Sequence, residues 1–192
     1  PPHRWKGRSN KVTRLLEMIA DLRENGERCL IFTQYVGMGH LVQDILQRTR
    51  GENVLFLHGA VPQKEREDMI QKFQQEGAFA SAGKEYPIFV LSLRAGGTGI
   101  NLTAANHIFH LDRWWNPAVE NQATDRAYRI GQSKHVYVHK FVTLGTLEER
   151  IDELISTKQE LSREIIGSGE QWITEMSDEE LRDLFALRMD GI

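Results

Sequence analysis

Short, uninterrupted apolar runs recur along this chain, and segments with the spacing of amphipathic helices separate them. The runs are Cys-Leu-Ile-Phe (29–32), Val-Leu-Phe-Leu (54–57), Ile-Phe-Val-Leu (88–91) and His-Ile-Phe-His-Leu (107–111). Each run is too short for a helix, and a continuous apolar run is typical of a strand buried on both faces. Strands that alternate with helices predict an α/β fold of three layers, in which helices cover both faces of a mostly parallel sheet.

The pattern divides the chain into four segments. Residues 1–8 show no periodicity and predict a tail or an artificial end, whereas residues 9–145 carry the alternation of strands and helices. A long helix over 146–168 begins with a capping-box pattern. Its apolar stripe needs a partner, either the sheet of this domain or a neighbouring lobe outside the chain. Residues 169–192 predict an acidic tail with a short helix at 177–187.

Within 9–145, helices are predicted at 10–25, around 41–46, at 63–75 and at 117–130, with a further strand at 136–142.

Composition excludes several classes of protein. The 192 residues are 40% hydrophobic and 27% charged, which is ordinary for a globular chain and excludes disordered and fibrous classes. No apolar run in the sequence approaches the ~20 residues that cross a bilayer. The lone Cys29 cannot form an internal disulfide, which favours a reducing compartment. We therefore expect a soluble intracellular protein without a membrane partner.

The formal net charge of −3 argues at first against a nucleic-acid partner, but the charge is unevenly distributed. Residues 144–192 contain 13 acidic and 5 basic residues, so the acidic excess belongs to the C-terminal part of the chain. The residues before them carry a small positive net charge. Because the local potential decides whether a phosphate backbone can dock, composition leaves such a partner open.

A glycine-rich loop follows the third apolar run, from Ser92 to Asn101. Three glycines within four positions let the backbone turn tightly and point amide hydrogens at an anion, although a plain turn explains the same pattern. A Walker A loop is excluded because no Gly-Lys-Ser or Gly-Lys-Thr occurs in the sequence. In an open parallel sheet, loops at the carboxyl ends of strands are where ligands bind.

A second loop, residues 112–117, places Trp114 and Trp115 directly after the fourth run. A single tryptophan there fits a place in the core. Two in succession at a strand end cannot both face inward, so we expect one exposed ring. An exposed aromatic plane beside arginine suits a sugar or a base.

A third segment, residues 122–132, carries Arg126 and Arg129 on one helix face. A surface ion pair with Asp125 explains one arginine. Two adjacent guanidinium groups repel each other unless an anion lies between or before them, so the pair favours a clamp for a polyphosphate in an open cleft.

The order of these motifs resembles that of the Swi/Snf-type DNA-translocating ATPases of helicase superfamily two. Residues 94–105, 115–117 and 122–132 are similar to motifs V and VI of that family, and residues 29–35 and 57–66 are similar to motifs IV and IVa. The resemblance runs from about Asn10 to Thr146. The doubled tryptophan resembles the bacterial branch of the family more than the eukaryotic remodellers.

The resemblance implies a RecA-like fold and half of an ATP-hydrolysing motor. Such proteins bind ATP and Mg²⁺ between two RecA-like lobes, and the Walker A lysine and the acidic Mg²⁺-binding motif belong to the first lobe. Neither motif occurs here, so the chain is expected to be the second lobe. Its implied partners are the first lobe and the backbone of double-stranded DNA. Alone, it is expected to be an inactive monomer, and the helix over 146–168 resembles a bracing helix.

The resemblance also assigns residues position by position. Arg126 and Arg129 correspond to arginine fingers, and Gln122 to a residue that couples the two lobes. Gly97, Gly99 and Asn101 correspond to the nucleotide side of the cleft. The residues expected to face the DNA backbone are Thr33, Gln34, His58, Gly59, Ser92, Arg94 and Trp115. Relatives often carry Ser-Thr where this chain has Ser92-Leu93, so one hydroxyl that binds a DNA phosphate is lost. The implied location is the nucleoid-containing cytoplasm of a bacterium or the nucleus of a eukaryote.

Three other functions compete with this hypothesis. The second lobe of a DEAD-box RNA helicase is disfavoured, because its His-Arg-x-Gly-Arg pattern is replaced by Gln-Ala-Thr-Asp-Arg at 122–126. A non-catalytic RecA-like interaction module stays open, although it does not require paired arginines beside a glycine loop. A metal enzyme is disfavoured because the histidine pairs 107/110 and 135/139 lie in predicted strands, without a nearby cysteine.

Overall fold

The computed structural model describes residues 9–75, 85–92, 100–114, 116–127, 132, 134–161, 177–179 and 182. The helices in this part of the chain are α1 (Asn10–Glu24), α2 (Val36–Arg50), α3 (Gln63–Gln74), α4 (Pro117–Thr124) and α5 (Leu147–Leu161). The strands are β1 (Cys29–Thr33), β2 (Val54–Leu57), β3 (Ile88–Ser92), β4 (His107–His110) and β5 (Tyr137–Lys140). Most of the helix predicted at 177–187 lies outside the described residues.

The strands form one five-stranded sheet in the order β2-β3-β1-β4-β5, and every neighbouring pair is parallel. The predicted parallel sheet is therefore confirmed. Thr33 lies opposite Ser92, and Leu57 lies opposite Leu91, so the carboxyl ends of the strands are aligned. We call the residues at and just beyond these ends, 33–34, 58–59, 92 and 111–114, the carboxyl edge.

Successive residues of each strand enter two separate cores, which explains why the apolar runs are continuous. Leu30 and Phe32 pack on one face with residues of α3 and α4. Cys29 and Ile31 pack on the other face with residues of α1 and α2. Helix α2 approaches the sheet closely at Gly39, where a Cβ atom would lie 2.2 Å from the ring of Phe56.

Helix boundaries follow local sequence at several ends. The side chain of Ser9 accepts a hydrogen bond from Val12 N and caps α1, and Asn116 caps α4 in the same way by accepting from Ala118 N. Helix α2 ends at Arg50, and the next residue, Gly51, caps it with a φ of 66°. Glycine adopts this left-handed conformation without the strain that a side chain introduces.

Helix α4 ends at Thr124, so the predicted helix over 117–130 is wrong at 125–127, and its last part, 128–130, lies outside the described residues. The backbone tightens after the helix, since Arg126 N bonds to Ala123 O and Ala127 N bonds to Thr124 O, each three residues back. Leu102 N donates to Arg126 O at 3.0 Å. A carbonyl that a longer helix would use internally is therefore bonded to a distant segment.

The first half of α5 packs on this domain, one of the two partners considered for its apolar stripe, and the side chains after residue 156 lie outside the described residues. Ile151 and Ile155 are 3% and 5% exposed. Asp152 pairs with Arg113 at the end of β4, and Glu148 accepts from Lys11 of α1. Residues 147–155 thus belong to the same folded unit as the sheet. In the described residues, no helix has the length and apolar content needed to cross a membrane.

Candidate functional site

The carboxyl edge brings together the described residues that were predicted to face a DNA backbone. Thr33 and Ser92 lie at aligned strand ends but are only 0% and 2% exposed. Gln34 and His58 are half-buried, and Gly59 is exposed. In this conformation, Thr33 and Ser92 form the floor of the edge, whereas residues 34, 58 and 59 reach its surface.

Asp112 organises the edge next to β1, a role that the sequence motifs did not reveal. Its Oδ2 atom accepts hydrogen bonds from Thr33 Oγ1 at 2.6 Å and from Gln34 N at 2.9 Å. The side chain of Gln34 donates to Arg113 O at 2.7 Å. Because a carboxylate accepts strongly from both donors, the turn after β1 is fixed to the loop after β4. The only sequence signal was the position of Asp112 directly after a buried strand.

His58 belongs to an aromatic cluster at the end of β2. Its ring centroid lies 5.0 Å from that of Phe56 and 5.4 Å from that of His40, which is on the exposed side of α2. Aromatic contacts at these distances fix ring orientation. The cluster therefore holds His58 beside the exposed backbone of Gly59.

The predicted nucleotide-facing segments also meet. The hydrogen bond from Leu102 N to Arg126 O joins the residue after Asn101 to the predicted arginine segment. Asn101 and Gln122 are exposed, as a contact residue in a cleft would be. Arg126 is only 5% exposed, so its side chain is enclosed in this structure, and its assignment as an arginine finger stays a prediction.

Two glutamines support the segment that follows Asn101. Gln132 donates through Nε2 to Thr103 O at 3.0 Å and to Ala105 O at 2.8 Å, with a longer contact of 3.3 Å to Ala127 O. Gln74, at the end of α3, accepts from Ala104 N at 2.9 Å. Sequence reasoning placed Gln132 at the end of the arginine segment but did not identify these long-range bonds.

A charge cluster with a buried centre, Arg113 and Glu120, lies behind the loop that follows β4. We call Arg113, Glu120, Lys140 and Asp152 the Arg113 network. Arg113 Nη1 pairs with Glu120 Oε2 and Nη2 pairs with Asp152 Oδ1 at 2.8 Å, while Lys140 Nζ lies 3.0 Å from Glu120 Oε2. The side chains of Arg113 and Glu120 are only 2% and 1% exposed. Removing one partner of such a pair leaves an uncompensated buried charge, at a typical penalty of about 3–5 kcal/mol.

Burial lowers the pKa of His110 to about 4 because desolvation penalises the imidazolium; Glu120 opposes this shift, and Lys140 and Arg113 add to it. Thr124 Oγ1 donates to Glu120 O, so His110 Nε2 donates to Thr124 Oγ1, at 3.2 Å. Among the described residues His110 Nδ1 has no hydrogen-bond partner, which agrees with a neutral ring. His110 thus packs as an uncharged side chain below the edge.

Several predicted site residues cannot be placed. Gly97, Gly99, Arg94, Trp115 and Arg129 lie outside the described residues, so their assignments stay predictions. In the described part of the chain, no group of three or more His, Cys, Asp or Glu residues is arranged to hold a metal ion. The described residues of the carboxyl edge offer hydrogen-bonding groups from Gln34, His58 and the backbone of Gly59.

Comparisons with known proteins identify this arrangement. The family model described as the helicase conserved C-terminal domain matches residues 10–131. The putative ATP-dependent helicase/translocase YwqA of Bacillus subtilis is 55% identical over 181 residues, which are 94% of this chain and 19% of that protein. The DNA repair protein RAD5A of Arabidopsis thaliana is 39% identical over 178 residues, which are 92% of this chain and 16% of that protein.

Solved structures give the same result. The SWI2/SNF2 ATPase core of Sulfolobus solfataricus in complex with dsDNA has a TM-score of 0.75 and 45% identity, and the match covers 95% of this chain and 36% of that chain. The C-terminal domain of the Sulfolobus solfataricus SWI2/SNF2 ATPase has a TM-score of 0.72 and 43% identity, with 95% and 71% covered.

A five-stranded parallel sheet with helices packed on both faces, matching these solved structures, defines a RecA-like helicase lobe. The chain belongs to the helicase C-terminal domain family, in its SWI2/SNF2 type. It spans less than a fifth of the length of curated relatives such as those from Bacillus subtilis and Mycoplasma genitalium, with 19% and 16% covered.

Proposed function

We propose that this chain is the second motor lobe of an ATP-driven translocase of double-stranded DNA, and that it completes an ATP site shared with a first lobe. The observation that carries the proposal is the hydrogen bond between Leu102 N and Arg126 O at 3.0 Å. It joins the segment assigned to the nucleotide to the segment assigned to the arginine fingers. The chain's family, and a structural neighbour described in complex with dsDNA, support the same function.

In this proposal, Asn101 and Gln122 face the nucleotide cleft, together with Gly97 and Gly99 from the glycine loop. Arginine suits the terminal phosphate because its planar, permanently charged fork stabilises the charge that develops on the transferred phosphoryl group. Mg²⁺ would be held by acidic residues of the first lobe. Since Arg126 is buried in the lobe alone, Arg129 is the arginine on which the test rests.

The DNA-binding surface in this proposal lies at the carboxyl edge. Gln34, His58 and Gly59 reach the surface there and would meet the phosphate backbone, with Arg94 and Trp115 from the adjoining loops. Thr33 and Ser92 would act from below by holding the edge in shape. Contacts to the backbone carry no sequence information directly. The parent protein should therefore bind DNA with weak sequence preference and a strong dependence on salt.

The test is the variant Arg129→Ala in a protein that contains this chain and a first lobe. We expect DNA-stimulated ATP hydrolysis to fall by about a thousandfold or more, since arginine fingers contribute about 10³–10⁵ in rate. ATP binding, measured with a fluorescent analogue, should persist because the first lobe supplies the Walker A lysine. Normal turnover in the variant would overturn the finger assignment.

Arg14→Ala provides the matched control. Arg14 is an exposed arginine of α1 whose side chain is 65% exposed and pairs only at the surface with Glu17, at 3.1 Å in the described structure. Loss of a surface ion pair changes stability by about 0–1 kcal/mol. The control should retain the wild-type rate of ATP hydrolysis. A loss of rate confined to Arg129→Ala then results from the missing guanidinium at the ATP site and not from the loss of one positive charge on the lobe.

A further inference from the structure

The Arg113 network connects three elements that sequence motifs treat separately. Arg113 belongs to the loop after β4, which continues to the predicted DNA-binding Trp115. Its guanidinium pairs with Glu120 in the first turns of α4 and with Asp152 in α5, at 2.8 Å for the latter. One side chain thus joins the loop to the helix that carries Gln122 and to the helix that resembles a bracing helix.

Glu120 uses both carboxylate oxygens in this arrangement. Oε1 accepts from Trp114 N at 3.1 Å, and Oε2 pairs with Arg113 and with Lys140 of β5. The backbone immediately before Trp115 and the first turns of α4 are therefore held by the same buried carboxylate. A shift of α4 along its axis would pull on the loop through these bonds.

Stability alone is a weak explanation for this network. Replacing a buried ion pair by apolar side chains of similar volume is often neutral or stabilising, because desolvation offsets the attraction between the charges. A guanidinium fork does fix geometry, since its donors have defined directions and two carboxylates must lie at matching positions. That property suits a contact that fixes the positions of α4, α5 and the loop after β4 relative to one another.

We propose that Arg113 is a positioning residue that couples the DNA-contacting loop to α4 and α5, so that α5 takes part in the response of the motor to DNA. This inference rests on the proposed function and adds to it a mechanical role for a residue outside the nucleotide and DNA contacts. Arg113 acts by holding the loop and the helix together. Neither the nucleotide nor DNA needs to touch it.

Asp152→Asn tests the link without emptying the core. The side chain of Asp152 is 41% exposed, so asparagine keeps nearly the same size and its amide can bond to water, while the negative charge that pairs with the Arg113 fork is lost. In a two-lobe protein that contains this chain, the DNA concentration for half-maximal stimulation of ATP hydrolysis should rise about threefold or more, the scale of one weakened charged hydrogen bond. The KM for ATP should change little, because the bond lies away from the nucleotide residues.

Glu153→Gln is the matched control, an acid-to-amide change at the next position of α5. Glu153 is 45% exposed and pairs with Arg150 of the same helix at 3.3 Å. The Glu153→Gln variant should need the same DNA concentration as the wild type for half-maximal stimulation of ATP hydrolysis. Both variants are compared at a temperature where circular dichroism shows them fully folded.

A double-mutant cycle with Arg113→Lys tests whether Asp152 acts through Arg113 or whether its replacement only weakens the fold. Lysine keeps the charge but cannot bridge two carboxylates with a fork, so Asp152→Asn added to Arg113→Lys should have little further effect on the DNA dependence. Additive effects, or equal behaviour of Asp152→Asn and Glu153→Gln, would overturn the inference. A wild-type two-lobe protein without any DNA stimulation would instead overturn the proposed function.

Discussion

At the scale of single residues, the structure assigns polar side chains to positions that their local sequence does not reveal. Arg28, Arg113 and Arg126 are all at most 5% exposed, although arginine is usually a surface residue. Arg113 lies close to its partner Glu120 in sequence, but Asp152 is far from it. Burial of a charge depends on partners that only the folded chain brings together, so sequence could indicate the arginines of interest but not which of them would be enclosed.

The buried side chain of His110 predicts that the protein loses stability as the pH falls. Burial lowers the pKa of His110 in the folded state from the ordinary histidine value of 6.5 to about 4. The unfolded chain therefore binds a proton at His110 before the folded chain does, and stability is full above pH 6.5 and falls as the pH decreases. Between pH 7 and pH 4 the loss should be about 3 kcal/mol, at about 1.4 kcal/mol per pKa unit.

The variant His110→Gln measures this contribution. Glutamine keeps an N–H group that can reach Thr124 but does not titrate, so unfolding in urea at several pH values should show a smaller loss of stability on acidification. His135→Gln, at an exposed histidine, is the control for removing an imidazole. An unchanged acid-dependent loss in His110→Gln would show that His110 is not the group responsible.

At the scale of secondary-structure elements, the strands were predictable and some helix ends were not. Continuous apolar runs specify strands with two buried faces, and β2 occupies the predicted residues 54–57. Helix α4 carries a helical pattern to residue 130 but ends at Thr124, because the carbonyl of Arg126 bonds to Leu102, 24 positions earlier in the chain. A competing long-range bond leaves no signal in the local sequence. The same holds for Gln132, whose amide bonds to carbonyls 27 and 29 positions away.

The end of α3 depends on a side chain from the segment before β1. Arg28 donates to Phe73 O and, at 2.7 Å, to Gln75 O, and its guanidinium lies 5.9 Å from the centre of the Phe73 ring. These bonds satisfy carbonyls that a helix end leaves without internal partners. Gln74, between these two positions, accepts from Ala104 N. The cap thus supports the segment next to Asn101 as well as the helix.

We expect Arg28→Met to lower the free energy of unfolding by about 2–3 kcal/mol, because hydrogen bonds from a charged donor each contribute about 1.5–3 kcal/mol and the methionine side chain retains part of the packing. Urea unfolding followed by circular dichroism measures the change. Arg14→Met, at a side chain that is 65% exposed, should change the value by less than about 0.5 kcal/mol. Equal stability of the two variants would contradict a capping role for Arg28.

At the scale of the whole molecule, the described residues form one folded unit, which we propose presents one wall of a larger site. Its two apolar cores are closed on both sides of the sheet, and the first half of α5 is packed on it. The exposed polar residues 101 and 122 have no described counterpart across the cleft that they are proposed to face. In the proposed function, fold and catalytic competence are separable, because the core needs only this chain whereas phosphoryl transfer would need the metal and lysine of a first lobe.

This separation predicts that the isolated chain folds but hydrolyses no ATP, with or without DNA. Fusion to a first lobe should restore DNA-stimulated hydrolysis, because a short linker raises the effective concentration of one lobe for the other to about the millimolar range. A fusion whose first lobe has an alanine in place of the Walker A lysine controls for contaminating hydrolases. Phosphate release is the measurement. Hydrolysis by the purified isolated chain, unaffected by Arg129→Ala, would contradict a site shared between lobes; hydrolysis that appears only in the fusion and disappears with Arg129→Ala would establish that the arginine acts across the cleft.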